Sequence, residues 1–378
     1  MGVSVRALQL ADFRSHAALE LRLDARPVCL IGPNGVGKTN ILEALSQLAP
    51  GRGLRGAALA ELARGGADAA ADRPRPWSVF AEIDEDGESR RIGVAAERTL
   101  EGGLKRVMRL DGRTPTAAEL AKAVRMAWLT PAMDRLFSGS PGERRRFLDR
   151  LTLARAPEHG QAAAGYERAM RERQRLLAEA SPDRAWLAAL EQAMAAHGAA
   201  MAAARVETLQ RLRSALEAEA LAEFPMASLA LEGELEQAFA EGAVSADLED
   251  RFAAALRAAR GRDGTAGRAL TGPHRSDLLV RHAEKDMPAE LCSTGEQKAL
   301  LLRLVAAHAR ALAGDPAAGP CLLLLDEAAA HLDPRRREKL AELVVALPGQ
   351  AWLTGADESL AEAFGATAQR IALAASSS

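Results

Sequence analysis

The chain has 378 residues, 48% of them hydrophobic and 26% charged, with a formal net charge of −2. That length allows two hydrophobic cores, and the near-neutral balance excludes a uniformly basic surface, so any grip on nucleic acid falls to a local patch. Three widely spaced cysteines, Cys29, Cys292 and Cys321, supply neither a zinc spacing nor a disulfide framework, and no run approaches ~20 uninterrupted apolar residues.

The opening MGVSVRALQLADFRSH lacks the basic-then-apolar order of a secretory leader; with the cysteine usage this predicts a cytoplasmic protein. From Val3 to Leu23 apolar and polar residues alternate, the period of half-exposed strands, and two edge strands are predicted. Pro27 to Ile31 is continuously apolar, as in a strand of a parallel sheet buried on both faces. A glycine-rich loop follows, then a helix from Thr39 to Leu48 with Ile41, Leu42, Leu45 and Leu48 on one side. Short alternating runs between Trp77 and Leu110, broken by Asp-Gly and Gly-Gly turns, predict more antiparallel sheet.

From about Ser140 to Leu221 the chain is rich in Ala, Arg, Glu and Leu and predicts a few long helices, interrupted at Ser181-Pro182-Asp183. Its apolar positions do not sustain heptads, so a long coiled coil is excluded. The many arginines read either as a solvated helix face or as phosphate contacts. Gly261 to Gly272 reads as a loop returning to the first lobe. Beyond it come a helix, a strand at Cys321–Leu325, a helix from Arg335 to Leu347, and a last strand at Gln350–Thr354. The expected fold is α/β: a head of mixed sheet and flanking helices, split between residues 1–130 and 265–378, around a mainly helical arm at 131–264.

Gly32-Pro33-Asn34-Gly35-Val36-Gly37-Lys38-Thr39 satisfies G-x-x-x-x-G-K-[ST] in full. The glycines let backbone N–H groups turn inward around a β-phosphate, Lys38 reaches β- and γ-oxygens, and the Thr39 hydroxyl ligates Mg²⁺. The following helix adds its N-terminal dipole. Four leucines lead into Asp326-Glu327, a buried strand ending in carboxylates where open α/β sheets place ligands. There Asp326 would hold Mg²⁺ through water, and Glu327 would orient or deprotonate the attacking water. ATP and Mg²⁺ are therefore the expected cofactors.

Ser293-Thr294-Gly295 stands directly before a second apolar helix, whose free N–H groups form an anion site. Two readings stay open: an ordinary Ser N-cap, or a site that closes over the triphosphate held by another copy. In the second reading two subunits pair head to tail with ATP sandwiched between them.

Together these motifs, with the Leu332-Asp333 that follows, resemble the ATP-binding-cassette heads shared by chromosome-maintenance and DNA-repair ATPases. Within that group the chain is similar along nearly its full length to the RecF family of bacterial recombination mediators. Matching blocks are Asp12-Phe13-Arg14, Asn40-Ile41-Leu42-Glu43-Ala44 and Gly51-Arg52-Gly53-Leu54-Arg55, with Gly139 to Asp149 (GSPGERRRFLD) and Gly272 to Leu278 (GPHRSDL) the most specific. The resemblance implies a weak ATPase used as a switch: ATP-dependent homodimerisation on gapped or junction DNA, partnership with RecR and RecO mediators, and loading of RecA at the nucleoid. It also implies that Asn40 joins the nucleotide contacts and that Ser293, Thr294, Gly295 and Asp333 reach ATP in trans; for Arg14 two readings stay open, a nucleotide contact by analogy with related heads or a surface ion pair. Arg144 to Arg146 read as a DNA contact or an intramolecular brace.

Two departures stand out. Thr294 and Glu296 occupy places where transporter cassettes favour Gly and Gln, and no histidine follows the last strand, so Thr354 or Asp357 is left for the sensing role. The alternative is a cassette ATPase of another system. A transporter subunit would lack the arm and require a membrane partner, while a zinc-hook break-repair protein needs long heptads and a cysteine pair. A small-molecule kinase has no use for a second anion-binding helix start.

Overall fold

In a computed structural model the chain is described over residues 2–65, 75–218, 224–315, 319, 321–330 and 332–374. The described residues fall into two compact units: 2–134, 224 and 301–374 form one, and 135–218 with 225–300 form the other.

The first unit opens with β1 (Val3–Phe13), β2 (His16–Arg22), β3 (Val28–Ile31) and α1 (Lys38–Ser46), then β4 (Trp77–Glu85), β5 (Glu88–Arg98), β6 (Leu104–Leu110), α2 (Ala117–Ala123) and β7 (Met126–Leu129). The second unit holds α3 (Pro141–Arg155), α4 (Glu158–Leu177), α5 (Arg184–Glu217), β8 (Ala227–Glu232), α6 (Glu234–Ala240), α7 (Ser245–Ala258), α8 (Arg260–Ala266), β9 (Asp277–His282) and β10 (Met287–Pro288). The boundary falls inside α9 (Thr294–Ala313), after which β11 (Leu322–Leu325), α10 (Pro334–Val345), β12 (Ala351–Gly355), α11 (Ser359–Phe364) and β13 (Gln369–Ala372) complete the first unit.

Two five-stranded sheets build the first unit: an antiparallel one ordered β2-β1-β4-β5-β6 and a parallel one ordered β13-β3-β12-β11-β7. β3, β7 and β11 are buried at every position, as a parallel sheet covered on both faces requires. Ile41, Leu42 and Leu45 of α1 share a core with Val79, Leu324 and Trp352. β1 lies between β2 and β4 rather than at an edge. β13, which the sequence does not announce, extends the parallel sheet beyond β3; its four residues alternate between half-buried and exposed and carry no apolar run.

The second unit packs α4, α5 and α7 around Tyr166, Met194, Ala202, Phe252 and Leu256, and adds a three-stranded antiparallel sheet, β10-β9-β8. Because β9 pairs with β8 from Glu232↔Asp277 to Ala227↔His282, residues 265–300 pack with this unit, although the sequence places them with the head. Residues 261–266, read as part of a loop, lie in the helix α8 despite Gly261 and Gly264. Asp263 accounts for this: it is fully buried and accepts a 2.7 Å hydrogen bond from Arg173, so tertiary contact overrides glycine's poor helix propensity.

Buried arginines brace this unit. Arg205 forks onto Asp149 at 2.7 and 3.0 Å and donates to Glu236 and to the Pro273 carbonyl. Arg173 meets Glu191 and Asp263, and Arg260 forks onto the same Glu191. These arm arginines are neither solvated nor free for phosphate. The two most family-specific sequence blocks meet here: Arg144 forks onto Asp277 at 2.9 and 2.6 Å, Arg145 donates to the Ser276 carbonyl, and Tyr166 pairs with His274. Arg144 and Arg145 thus form a brace, while Arg146 is exposed.

Candidate nucleotide site

The site grows from three adjacent strands. β3 ends at Ile31 and delivers the loop 32–37; β12, beside it, ends at Thr354-Gly355; β11, next again, ends at Leu325 and delivers Asp326 and Glu327. The pairing Thr354↔Leu30 and Leu325↔Leu353 brings the three strand ends level.

Gly37 closes the loop with φ +101°, a conformation other residues resist. A Cβ there would lie 2.5 Å from the Ser15 hydroxyl, so the position demands glycine twice over. Because the N-cap of α1 is a glycine with no side-chain hydrogen bond, the first-turn N–H groups of that helix receive no cap from its own side chain and are placed for an anion. Lys38, buried at the first position, donates to the Gly32 and Pro33 carbonyls at 2.5 and 2.9 Å. Burial pushes its pKa down, opposed by the Glu327 and Asp326 carboxylates.

The Thr39 hydroxyl donates to Asp326 Oδ1 at 2.8 Å. This is the pair of hard oxygen groups that the sequence assigns to Mg²⁺. Among the described residues no group of three or more His, Cys, Asp or Glu is gathered. The fit is to a cation completed by phosphate oxygens and water, as Mg²⁺ is in such sites, rather than to a protein cage. Glu327 takes φ +50° and its amide donates to the Thr354 hydroxyl at 2.8 Å. With Asn34, Arg337, Thr354 and Asp357 it lines a cleft of about 310 Å³.

The β1–β2 turn lies over the loop: Asn40 donates to the Ser15 hydroxyl at 2.8 Å and His16 Nε2 sits 3.1 Å from the Gly37 carbonyl. Arg14 holds that turn in place. Its guanidinium forks onto Glu43 of α1, 2.9 Å to each oxygen, and donates to the Glu61 carbonyl. Glu43 is fully buried, so this pair is structural, and Arg14 spends its donors inside the protein. Ser15 and His16 were not singled out from sequence, and Glu43 stood only inside the Asn40–Ala44 block with no role assigned; the signal for the turn was the Asp12-Phe13-Arg14 block, whose residues 12 and 14 both have positive φ.

The second predicted anion site lies in the other unit. Ser293 and Glu296 form a reciprocal cap at the start of α9: the Ser293 amide and hydroxyl donate to Glu296 Oε2 at 3.0 and 2.9 Å, and the Glu296 amide donates back to the hydroxyl. Lys285 pairs with the other carboxylate oxygen and, with Ser293 adding its two bonds, holds the Glu296 carboxyl down at about 2. Thr294 and Gly295 are the first helical residues. Asp333 caps α10, accepting from the Arg336 amide at 2.9 Å; His331 lies outside the described residues. Asp357 accepts from the Ser359 amide and hydroxyl at the start of α11.

A phosphate loop, two carboxylates at the end of β11 and a parallel sheet backed by an antiparallel one define an ATP-binding, SMC-like ATPase head. Residues 4–363 match the RecF/RecN/SMC N-terminal domain family. A DNA replication and repair protein RecF of Rhizobium meliloti is 50% identical over 374 residues, 98% of this chain and 97% of the relative. Another from Caulobacter vibrioides is 50% identical over 361 residues, 94% and 92% of the two chains. The chain belongs to the RecF family. Among solved structures, the recombination mediator protein RecF-ATPrS in the RecFOR pathway superposes with TM-score 0.79 at 19% identity, covering 94% of this chain and 93% of that one. An Smc head domain derived from Pyrococcus furiosus gives TM-score 0.52 at 16% identity, over 99% and 94%.

Proposed function

We propose that this protein is an ATP-switched DNA-binding recombination mediator. It binds ATP and Mg²⁺ at residues 32–40, pairs head to tail with a second copy, holds gapped or junction DNA, hydrolyses ATP slowly, and works with RecR- and RecO-type partners to load RecA at the nucleoid. The observation that carries the nucleotide reading is the convergence of Lys38 and Thr39 after β3 with Asp326 and Glu327 after β11, across the intervening β12. The names of the relatives support the DNA-repair setting, and that of the RecF-ATPrS neighbour supports both ATP and the RecR and RecO partners.

In this reading Lys38 leaves the Gly32 and Pro33 carbonyls for phosphate oxygens, while the loop amides and the start of α1 take up the remaining charge. Thr39 and Asp326 would hold a magnesium ion, which would supply neutralising charge to the triphosphate. Glu327 orients water toward the γ-phosphoryl group, where positioning and charge stabilisation do most of the catalysis. The Ser293-Thr294-Gly295 start of α9 from the second copy completes the site. There the triphosphate competes with Glu296 for the Ser293 amide and hydroxyl, and a signature that must shed its own cap suits a slow switch.

The test is Glu327→Gln, which keeps the shape of the site and removes the water-orienting carboxylate. Light scattering should find a dimer that persists at saturating ATP and tightens on a gapped duplex, with affinity falling as salt rises. Monomer alone at saturating ATP would reject the dimer, and a salt-independent affinity would reject a backbone-tracking DNA surface.

A further inference from the structure

The RecF-like site lacks a histidine after β12, and the structure offers a different residue for the post between the two carboxylates. Thr354 is 1% exposed and lies on β12, between the strand that delivers the phosphate loop and the strand that delivers Asp326. Its hydroxyl is used in both directions: it donates to Asp326 Oδ1 at 2.9 Å and accepts the Glu327 amide at 2.8 Å. The Glu327 backbone needs such a hold, because φ +50° is a left-handed conformation that a residue with a Cβ adopts only when its surroundings enforce it. The same Asp326 oxygen also accepts from Thr39. One carboxylate oxygen therefore links the magnesium-binding threonine of the loop to the threonine that fixes the backbone of Glu327. Asp357, the other candidate from sequence, caps α11 through Ser359 instead.

We propose that Thr354 is a positioning residue for ATP hydrolysis: its hydroxyl locks Glu327 in the left-handed conformation that aims the carboxylate, and keys that lock to the orientation of Asp326. The proposal rests on the reading of Asp326 and Glu327 as the magnesium-binding and water-orienting residues. The hydroxyl bonds Asp326 and the Glu327 amide and not the phosphate loop, so the larger effect belongs on turnover.

Thr354→Val preserves shape and removes both hydrogen bonds; Thr354→Ser keeps them. In full-length protein, Val should lower kcat for ATP about ten- to a hundredfold with KM within about threefold, and Ser should restore kcat to within about threefold of wild type. Amide hydrogen exchange at Glu327, measured without nucleotide, should be slow in wild type and Ser and accelerate in Val. A Val variant with wild-type kcat, or Ser as slow as Val, would overturn the proposal. If wild type shows no turnover, the hydrolysis reading fails separately, and the exchange comparison still decides the lock: equal protection at Glu327 in wild type and Val would refute it.

Discussion

Replacing Lys38 with methionine separates what the loop lysine does for the fold from what it does for the ligand. Without nucleotide the ammonium makes two hydrogen bonds to loop carbonyls, at 2.5 and 2.9 Å, and is 5% exposed. A methionine of similar length fills the same space and loses those bonds, at about 1 kcal/mol each, so the loss of stability should stay near 1–2 kcal/mol. With ATP the same ammonium contacts charged phosphate oxygens, where each charge-assisted hydrogen bond contributes roughly 1.5–3 kcal/mol. Two such contacts amount to about 3–6 kcal/mol, or about 10²- to 10⁴-fold in affinity. Titration with a fluorescent ATP analogue, run beside urea unfolding, reads both effects. A Lys38→Met protein that binds ATP within about threefold of wild type would refute the phosphate-loop assignment.

Arg205→Met should destabilise the second unit by about 3–5 kcal/mol in urea titrations, because it leaves Asp149 and the buried Glu236 without their cation. Arg171→Ala, which breaks only an exposed pair with Glu167, should change stability by no more than about 0.5 kcal/mol. Arg14→Met should unfold more easily because Glu43 is fully buried, and adding Glu43→Gln should recover part of that loss; additive costs would show that the pair is not what anchors the turn. The Glu296 carboxyl is held at about 2, below its ordinary value of 4.5, so its contribution to the α9 cap is fully present above about pH 4.5 and disappears as pH falls toward 2. Hydrogen exchange in the first turn of α9 should be protected from pH 5 to 8 relative to intrinsic rates and lose protection only below about 4.

What could be read from the sequence was what is contiguous in it. The phosphate loop sits within eight consecutive positions, and its strand-loop-helix order is dictated locally by an apolar run, glycines and a helical repeat. Asp326-Glu327 was legible because four leucines announce the strand that ends there. Thr354 was named only as one of two candidates: its importance comes from β12 lying between β3 and β11, a fact of sheet order that no short pattern encodes. Arg14 was left between a nucleotide contact and an ion pair because sequence cannot show that Glu43, 29 residues on, takes its guanidinium. The arm arginines divide: Arg168, Arg171, Arg175 and Arg184 are exposed, as the solvated-face reading expects, whereas Arg173 and Arg205 find carboxylates 18 to 90 residues away, which no local pattern shows. β9 was missed because its six residues directly follow the GPHRS block, with no turn residues to set the strand apart.

The head-to-tail sandwich is tested most directly by sedimentation of Ser293→Arg with and without saturating ATP. The account predicts that this protein binds ATP as tightly as wild type yet sediments as a monomer, because the bulky side chain blocks the site it offers to a second copy while leaving its own loop intact. A Ser293→Arg protein that dimerises on ATP like wild type, or that loses ATP binding as a monomer, would contradict it.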